Sequence, residues 1–144
     1  MILYFIIIGA IILFIPELIE EQKAQVQFKR ALSPGSITYK DFINNKGRIR
    51  RMYNVPGVYV ITNTSKGNKK YVGQSVNIYS RVNSHFSGSG NGDIYHDLMS
   101  GDTFIVDLIK LKDTKFRTLD SLEKYLISYH DSYYNGYNKT RGNG

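Results

Sequence analysis

Tyr59 and Tyr71 lie twelve residues apart, each in a glycine-bounded triplet, Gly57-Val58-Tyr59 and then Tyr71-Val72-Gly73. Arg81 and His85 follow at a spacing of four, which on a helix sets both on one face. Glu123 and Asn138 come later in the chain. This set can supply what phosphodiester hydrolysis needs: an activated water, and positive charge on the phosphate as negative charge develops. Glu123 is a hard-oxygen ligand. A single carboxylate, completed by waters and a substrate phosphate, suits Mg²⁺ or Mn²⁺. Arg81 can fork onto two phosphate oxygens. Tyr59 or Tyr71 can orient or deprotonate the water, provided Arg81, His85 or the metal lowers a phenol pKa that is ordinarily about 10. His85 can share that task as proton acceptor or bond a phosphate oxygen. Taken singly, each residue also has an ordinary reading. The tyrosines suit half-buried strand positions, Arg81 a surface, Glu123 a pair with Lys124 or Lys115, and Asn138 a turn with Gly136.

The elements that must position these residues are readable in outline. Val58 to Ile61 is a β-branched and aromatic run, hence a strand, and Lys69 to Gly73 is its returning partner across the turn formers Asn63 to Asn68. Ile78, Val82 and Phe86 recur at helical spacing, which predicts a helix over 77–86 with Ser75 as its cap. A flexible loop over 87–92, a short helix over 94–99 and a third strand over 103–111 follow. Leu119, Leu122, Leu126 and Tyr129 then mark a helix over 119–133, capped by Thr118 or Asp120. The order predicts an α+β fold, a small three-stranded sheet flanked by helices.

In motif, order and spacing, the set resembles the GIY-YIG nuclease family. Gly57-Val58-Tyr59 stands for that family's GIY and Tyr71-Val72-Gly73 for its YIG; Arg81, His85, Glu123 and Asn138 match in kind. The resemblance runs from about Gly57 to Asn143 and leaves the first fifty residues outside. It implies a divalent-metal-dependent DNA endonuclease with Tyr59, Tyr71, Arg81, His85, Glu123 and Asn138 at the site. Glu123 would hold the metal, a tyrosine would act as phenolate base, and Asn138 would support the others. Family members usually borrow specificity from a separate DNA-binding domain. No zinc finger or helix-turn-helix is recognisable here, so selectivity is expected to come from a partner, dimerisation or DNA shape.

Charge agrees with such a substrate. The net charge is +7 and the pI about 9.5, which favours nucleic acid or an anionic membrane surface. Cysteine is absent, which excludes disulfides, thiolate nucleophiles and Cys-ligated zinc. The Gly-rich run Ser87 to Gly92 lacks the Lys-Ser/Thr of a P-loop. Lys66, Lys69, Lys70, Lys139 and Arg141 flank the expected site and offer salt-dependent contact with phosphates.

Met1 to Ile15 carries no charge and is almost wholly apolar. As a helix it reaches roughly 22 Å, and extension to Ile19 brings it near spanning length. Residues 1–19 are therefore expected to anchor the chain in a membrane; a helix packed on the domain and a signal peptide are the rivals. Lys23, Lys29 and Arg30 come after the run, which keeps the remainder cytoplasmic. Residues 20–55 read as a polar helix followed by a linker or short helix, with a basic knot at Lys46, Arg48, Arg50 and Arg51. Residues 56–144 form the nuclease-like domain. The alternative function is a membrane-tethered nucleic-acid-binding protein that kept the fold and lost cleavage.

Overall fold

The computed structural model of the chain describes Pro16, Ile19 and residues 35–142. Apart from those first two residues, the expected anchor and the polar helix after it lie outside the described residues. Among the described residues, no helix is long and apolar enough to cross a membrane.

The expected hairpin forms from β2 (Gly57–Asn63) and β3 (Lys69–Ser75), antiparallel, with Tyr59 opposite Gly73 and Ile61 opposite Tyr71. Its turn is held by the Asn63 side chain, whose Oδ1 accepts from the Ser65 and Lys66 amides. β4 (Phe104–Lys110) pairs with the other side of β2. The sheet has four strands rather than three, in the order β1-β4-β2-β3, because Ile37–Thr38 adds a two-residue β1 to β4. A strand that short has no alternation to read.

The stretch expected as a linker or one short helix also folds more fully. Thr38 caps α1 (Tyr39–Asn44) by accepting from the Asp41 amide at 3.0 Å, and α2 (Lys46–Tyr53) follows after one residue. Each buries a single large side chain, Phe42 and Ile49, in the core shared with Tyr59 and Ile61. Tyr39 and Ile43 pack beside Phe42, and Tyr53 beside Ile49, at helical spacing, but helices of six and eight residues are too short for that spacing to stand out.

α3 (Ile78–Phe86) is one residue shorter than expected and is capped by Asn77, whose side chain accepts from the Ser80 amide. Ser75 instead bonds the backbone of Asn77 and shapes the turn before the helix. α4 (Gly92–Met99) starts earlier than expected because Asn91 caps it. β4 stops at Lys110, and a single 3₁₀ turn, Leu111–Asp113, carries the chain on. α5 (Leu119–Tyr129) is capped by Thr118 and ends four residues early, where Asp131 takes φ 50°.

β2 is buried along its whole length, so its alternating side chains serve two layers. Tyr59 and Ile61 face α1 to α4 with Phe42, Ile78, Val82, Phe86 and Ile94. Val58 and Val60 face α5 through Leu122, Leu126 and Ile127. The site draws on both layers, meeting at β3, an edge strand of the sheet.

Candidate active site

Both motif glycines exist to let something approach. A Cβ at Gly57 would sit 2.1 Å from the Ile109 carbonyl of β4, and one at Gly73 would sit 2.2 Å from the Tyr59 hydroxyl oxygen. Gly73 therefore leaves the space across the hairpin that the Tyr59 phenol fills. Tyr59 is 1% exposed, whereas Tyr71, on the same face of the edge strand, is half-buried.

His85 is equally buried, and its two ring nitrogens are both engaged. Nδ1 accepts from the Asn91 amide at 2.8 Å, and Nε2 lies 2.8 Å from the Tyr59 hydroxyl. A nitrogen that accepts from a backbone N–H carries no proton, so the neutral ring is protonated at Nε2 and donates to Tyr59. Burial, reinforced by the charge of Arg81, lowers the His85 pKa to about 4, which keeps it neutral at physiological pH. This placement leaves no ring nitrogen for a phosphate oxygen. The rings of Tyr59, Tyr71 and His85 form a cluster with centroids 5.0 to 6.2 Å apart.

Burial raises the pKa of both phenols. For Tyr59 a Tyr71 charge adds to that, while Arg81 acts in the other direction. For Tyr71 the opposition comes from Arg81 and from a hydrogen bond with Tyr59. Arg81 itself is exposed on α3, one turn before His85.

Glu123 arrives from α5, in the opposite layer. Its Oε2 accepts from Gln74 Nε2 at 2.8 Å, and the same amide reaches Asp120 Oδ1 at 2.6 Å. Its negative charge is felt by both Tyr59 and Tyr71. Glu123 Oε1 has no hydrogen-bond partner among the described residues. No group of three or more His, Cys, Asp or Glu side chains able to hold a metal occurs among the described residues. A divalent ion here would rest on one carboxylate and complete its shell with water and phosphate, a donor set that fits Mg²⁺ or Mn²⁺.

Asn138 touches none of these side chains. Its amide pairs with the backbone of Val72 in both directions, Nδ2 donating to the carbonyl and Oδ1 accepting from the N–H, each at 2.8 Å. It extends the sheet by one side chain and pins β3 between Tyr71 and Gly73. Tyr59, Arg81, His85 and Glu123 gather around Tyr71, while Asn138 braces the strand from outside.

Two groups escaped sequence reading. Gln74 follows the second triplet directly and aims Glu123, a role signalled only by its place on the opposite face from Tyr71. Asp97, buried on α4, accepts from Lys66 Nζ and the Tyr137 hydroxyl, each at 2.6 Å, while Asn63 Nδ2 donates to Tyr137 and Asp102. Burial opposes ionisation of Asp97, yet hydrogen bonds from Lys66, Tyr137 and His96 bring its pKa to about 2. This network ties the hairpin turn, α4 and the tail together.

Comparison with known proteins points to the same stretch of the chain. No curated protein matches the chain. Among solved structures, it is similar to the catalytic domain of the intron endonuclease I-TevI, in a glutamate-to-alanine mutant form. The identity is 26%, over 61% of this chain and 96% of that one, with a TM-score of 0.47. The family model of the GIY-YIG catalytic domain matches residues 55–138, which contain both triplets, Arg81, His85, Glu123 and Asn138. The chain belongs to the GIY-YIG family and carries its nuclease domain.

Proposed function

We propose that this nuclease domain is a divalent-metal-dependent DNA endonuclease, weakly sequence-specific or directed by a partner. The observation that carries the reading is the convergence of Arg81, the Tyr59–Tyr71–His85 cluster and Glu123 on one edge strand. GIY-YIG nucleases generally depend on a divalent metal, and Glu123 would hold the ion. When bound, such an ion supplies positive charge at the scissile phosphate and lowers the pKa of its water.

The protein's own residues do the rest. Arg81 binds two oxygens of the phosphate and offsets the charge that builds there. Tyr71 is the phenol that water can reach. Once its own proton has left to solvent, its oxygen orients the nucleophile and takes the water's proton. Arg81 and the Tyr59 hydrogen bond work against the burial that raises its pKa. Tyr59 stands behind it, receiving a hydrogen bond from His85 Nε2 and supporting the Tyr71 oxygen. His85 acts as a neutral donor. Gln74 fixes the carboxylate of Glu123, and Asn138 keeps the strand carrying Tyr71 in register.

The uncharged run at residues 1–15 supports a further element of the reading: anchorage through residues 1–19 at the inner face of a membrane, with the domain cytoplasmic. Fractionation of cells expressing the full chain and a 1–34 deletion tests it. Recovery of the full chain in the soluble fraction would sink the anchor.

The decisive experiment incubates the full chain with supercoiled plasmid in Mg²⁺ or EDTA, beside Glu123→Ala and Arg81→Ala. Nicking is expected only with metal, and each variant should lose at least about 10²–10³-fold in rate. A wild-type chain that binds duplex, single-stranded and branched DNA but cuts none of them would be a binding module, and the catalytic roles of Tyr71, Arg81 and Glu123 would be wrong.

A further inference from the structure

We propose that α2 is a second DNA-binding element, a helix that grips the phosphate backbone beyond the scissile position. The inference rests on the nuclease reading, but its residues lie outside the stretch that matches the family, 55–138.

Four of the eight residues of α2 are cationic (Lys46, Arg48, Arg50 and Arg51) and none is acidic. Ile49 alone is buried. With 100° per residue, Arg48 and Arg50 flank Ile49 at roughly a quarter turn on either side, Lys46 lies closer in, and Arg51 points almost directly outward. All four are exposed. Gly47 shares the outward face with Arg51, and a Cβ there would meet only the Arg51 guanidinium, so backbone on that face is uncovered.

These cations are also uncommitted. Among the described residues, none of the four has a carboxylate within ion-pairing distance. Six other cations among the described residues have partners: Lys66 has Asp97, Lys139 Asp93, Lys70 Thr62, Lys69 the Tyr137 ring, Lys110 that of Tyr53 and Arg141 that of Tyr133. The free ones, such as Lys112 and Lys124, are not gathered four to a single short helix as in α2. Positive charge without partners among the described residues, held on a helix packed against the domain, suits an anionic polymer.

The helix is fixed to the catalytic one. It packs on α3, the Val55 carbonyl accepts from the Ile78 amide at 3.2 Å, and Asn77, the cap of α3, donates to Asn54 just past the end of α2. Arg81 and the α2 cations therefore move as one body. An eight-residue helix is about 12 Å long, and a duplex presents one charge per roughly 1.7 Å of its axis. The cations span about 7.5 Å of the helix, so several phosphates lie within their reach.

Anionic lipid is the competing occupant, and the helix is poorly built for it. An interfacial helix embeds an apolar face; here the apolar residue Ile49 is spent on the core, and Met52, 45% exposed, is the only large apolar side chain the helix exposes.

The test uses the full chain in non-ionic detergent, carrying Glu123→Ala so that DNA stays intact. Binding to a fluorescent duplex is measured across a salt series, with and without Lys46→Gln, Arg48→Gln, Arg50→Gln and Arg51→Gln together. Each lost phosphate contact should flatten the slope of log K against log salt by about 0.9, so the fourfold variant should lose roughly three to four units, equally on unrelated sequences. The single change Arg51→Gln, at the outermost position, should lose about one and serves if the fourfold variant does not fold. Replacing the three arginines by lysine should keep the slope. A fourfold variant that melts like the parent and shifts the slope by less than one unit overturns the proposal. So does loss of binding to phosphatidylserine-containing vesicles with the DNA slope intact. A wild-type chain that cuts DNA while the α2 variant binds it unchanged defeats this inference alone. An α2-dependent slope in a chain that never cuts supports the helix and defeats the nuclease reading.

Discussion

Tyr59 and Tyr137 share one core, both almost fully buried, and burial raises the pKa of each. Each hydroxyl accepts one hydrogen bond, Tyr137 from Asn63 and Tyr59 from His85, and they differ in what takes their proton. Tyr137 donates to the Asp97 carboxylate, so loss of its proton would set a phenolate against a carboxylate. Tyr59 receives from His85 Nε2, so its oxygen is the acceptor and its own proton is free to serve Tyr71. A buried hydroxyl facing an acceptor is locked in place. One whose oxygen already accepts from a neutral donor keeps its proton for a neighbouring acceptor. On the proposed mechanism, the same residue type is structural on one side of the hairpin and chemical on the other.

The strongest way to break this contrast is kinetic. Tyr71→Phe removes the phenol at the open end of the donor chain and is expected to slow single-turnover cleavage by about 10²–10⁴-fold. Tyr59→Phe should cost less, because it removes support rather than the base. Tyr137→Phe should cut at the wild-type rate per folded molecule; a loss there comparable to Tyr71→Phe would erase the distinction.

Stability should sort the variants in the opposite order. Tyr137→Phe takes a hydrogen bond from a buried carboxylate and is expected to cost about 1.5–3 kcal/mol in urea titrations. Tyr59→Phe leaves only a neutral His85 donor without its acceptor and should cost about 1–2 kcal/mol. Equal losses would mean the two hydroxyls do similar structural work.

Acid titration sharpens the contrast with smaller effects. His85 and His130 both have folded pKa values of about 4, below the ordinary 6.5, with burial the main cause. The unfolded chain takes up those protons first, so their neutral burial is fully tolerated above pH 6.5 and costs stability progressively down to about pH 4. Asp97, held at about 2, stabilises the fold above the ordinary carboxylate range and gives way only as pH falls below about 3.8 towards 2. Urea midpoints between pH 7 and 3 should therefore start to fall near pH 6.5, and His85→Gln should weaken that early fall. An early fall unaltered by the substitution would remove His85 from the account.

Much of this was readable from residue order. The hairpin announced itself through β-branched runs and a turn-rich gap, and α3 through Ile78, Val82 and Phe86. Nearness of Tyr59, Tyr71, Arg81 and His85 followed from hairpin and helix alone. What stayed hidden depends on backbone groups brought in from elsewhere. The tautomer of His85 is set by the Asn91 amide, which reaches it only because the loop before α4 folds back. Asn138 was readable as a support only through the family resemblance, and what it supports, the Val72 backbone 66 residues away, was not readable at all. α1 and α2 were read only as a linker or a short helix, because each is under three turns long and the chain breaks between them at Asn45.

The bracing of β3 has a further consequence for life in a crowded solution. An open sheet offers its outer strands as templates on which another chain can add by main-chain pairing. Here one outer strand, β1, is only two residues long. The other is β3, where Asn138 takes up both polar groups of Val72 and the Tyr137 amide takes the Lys70 carbonyl. The pairing groups of the strand that carries Tyr71 are thus capped from within, so a neighbouring copy cannot zip onto it at those positions.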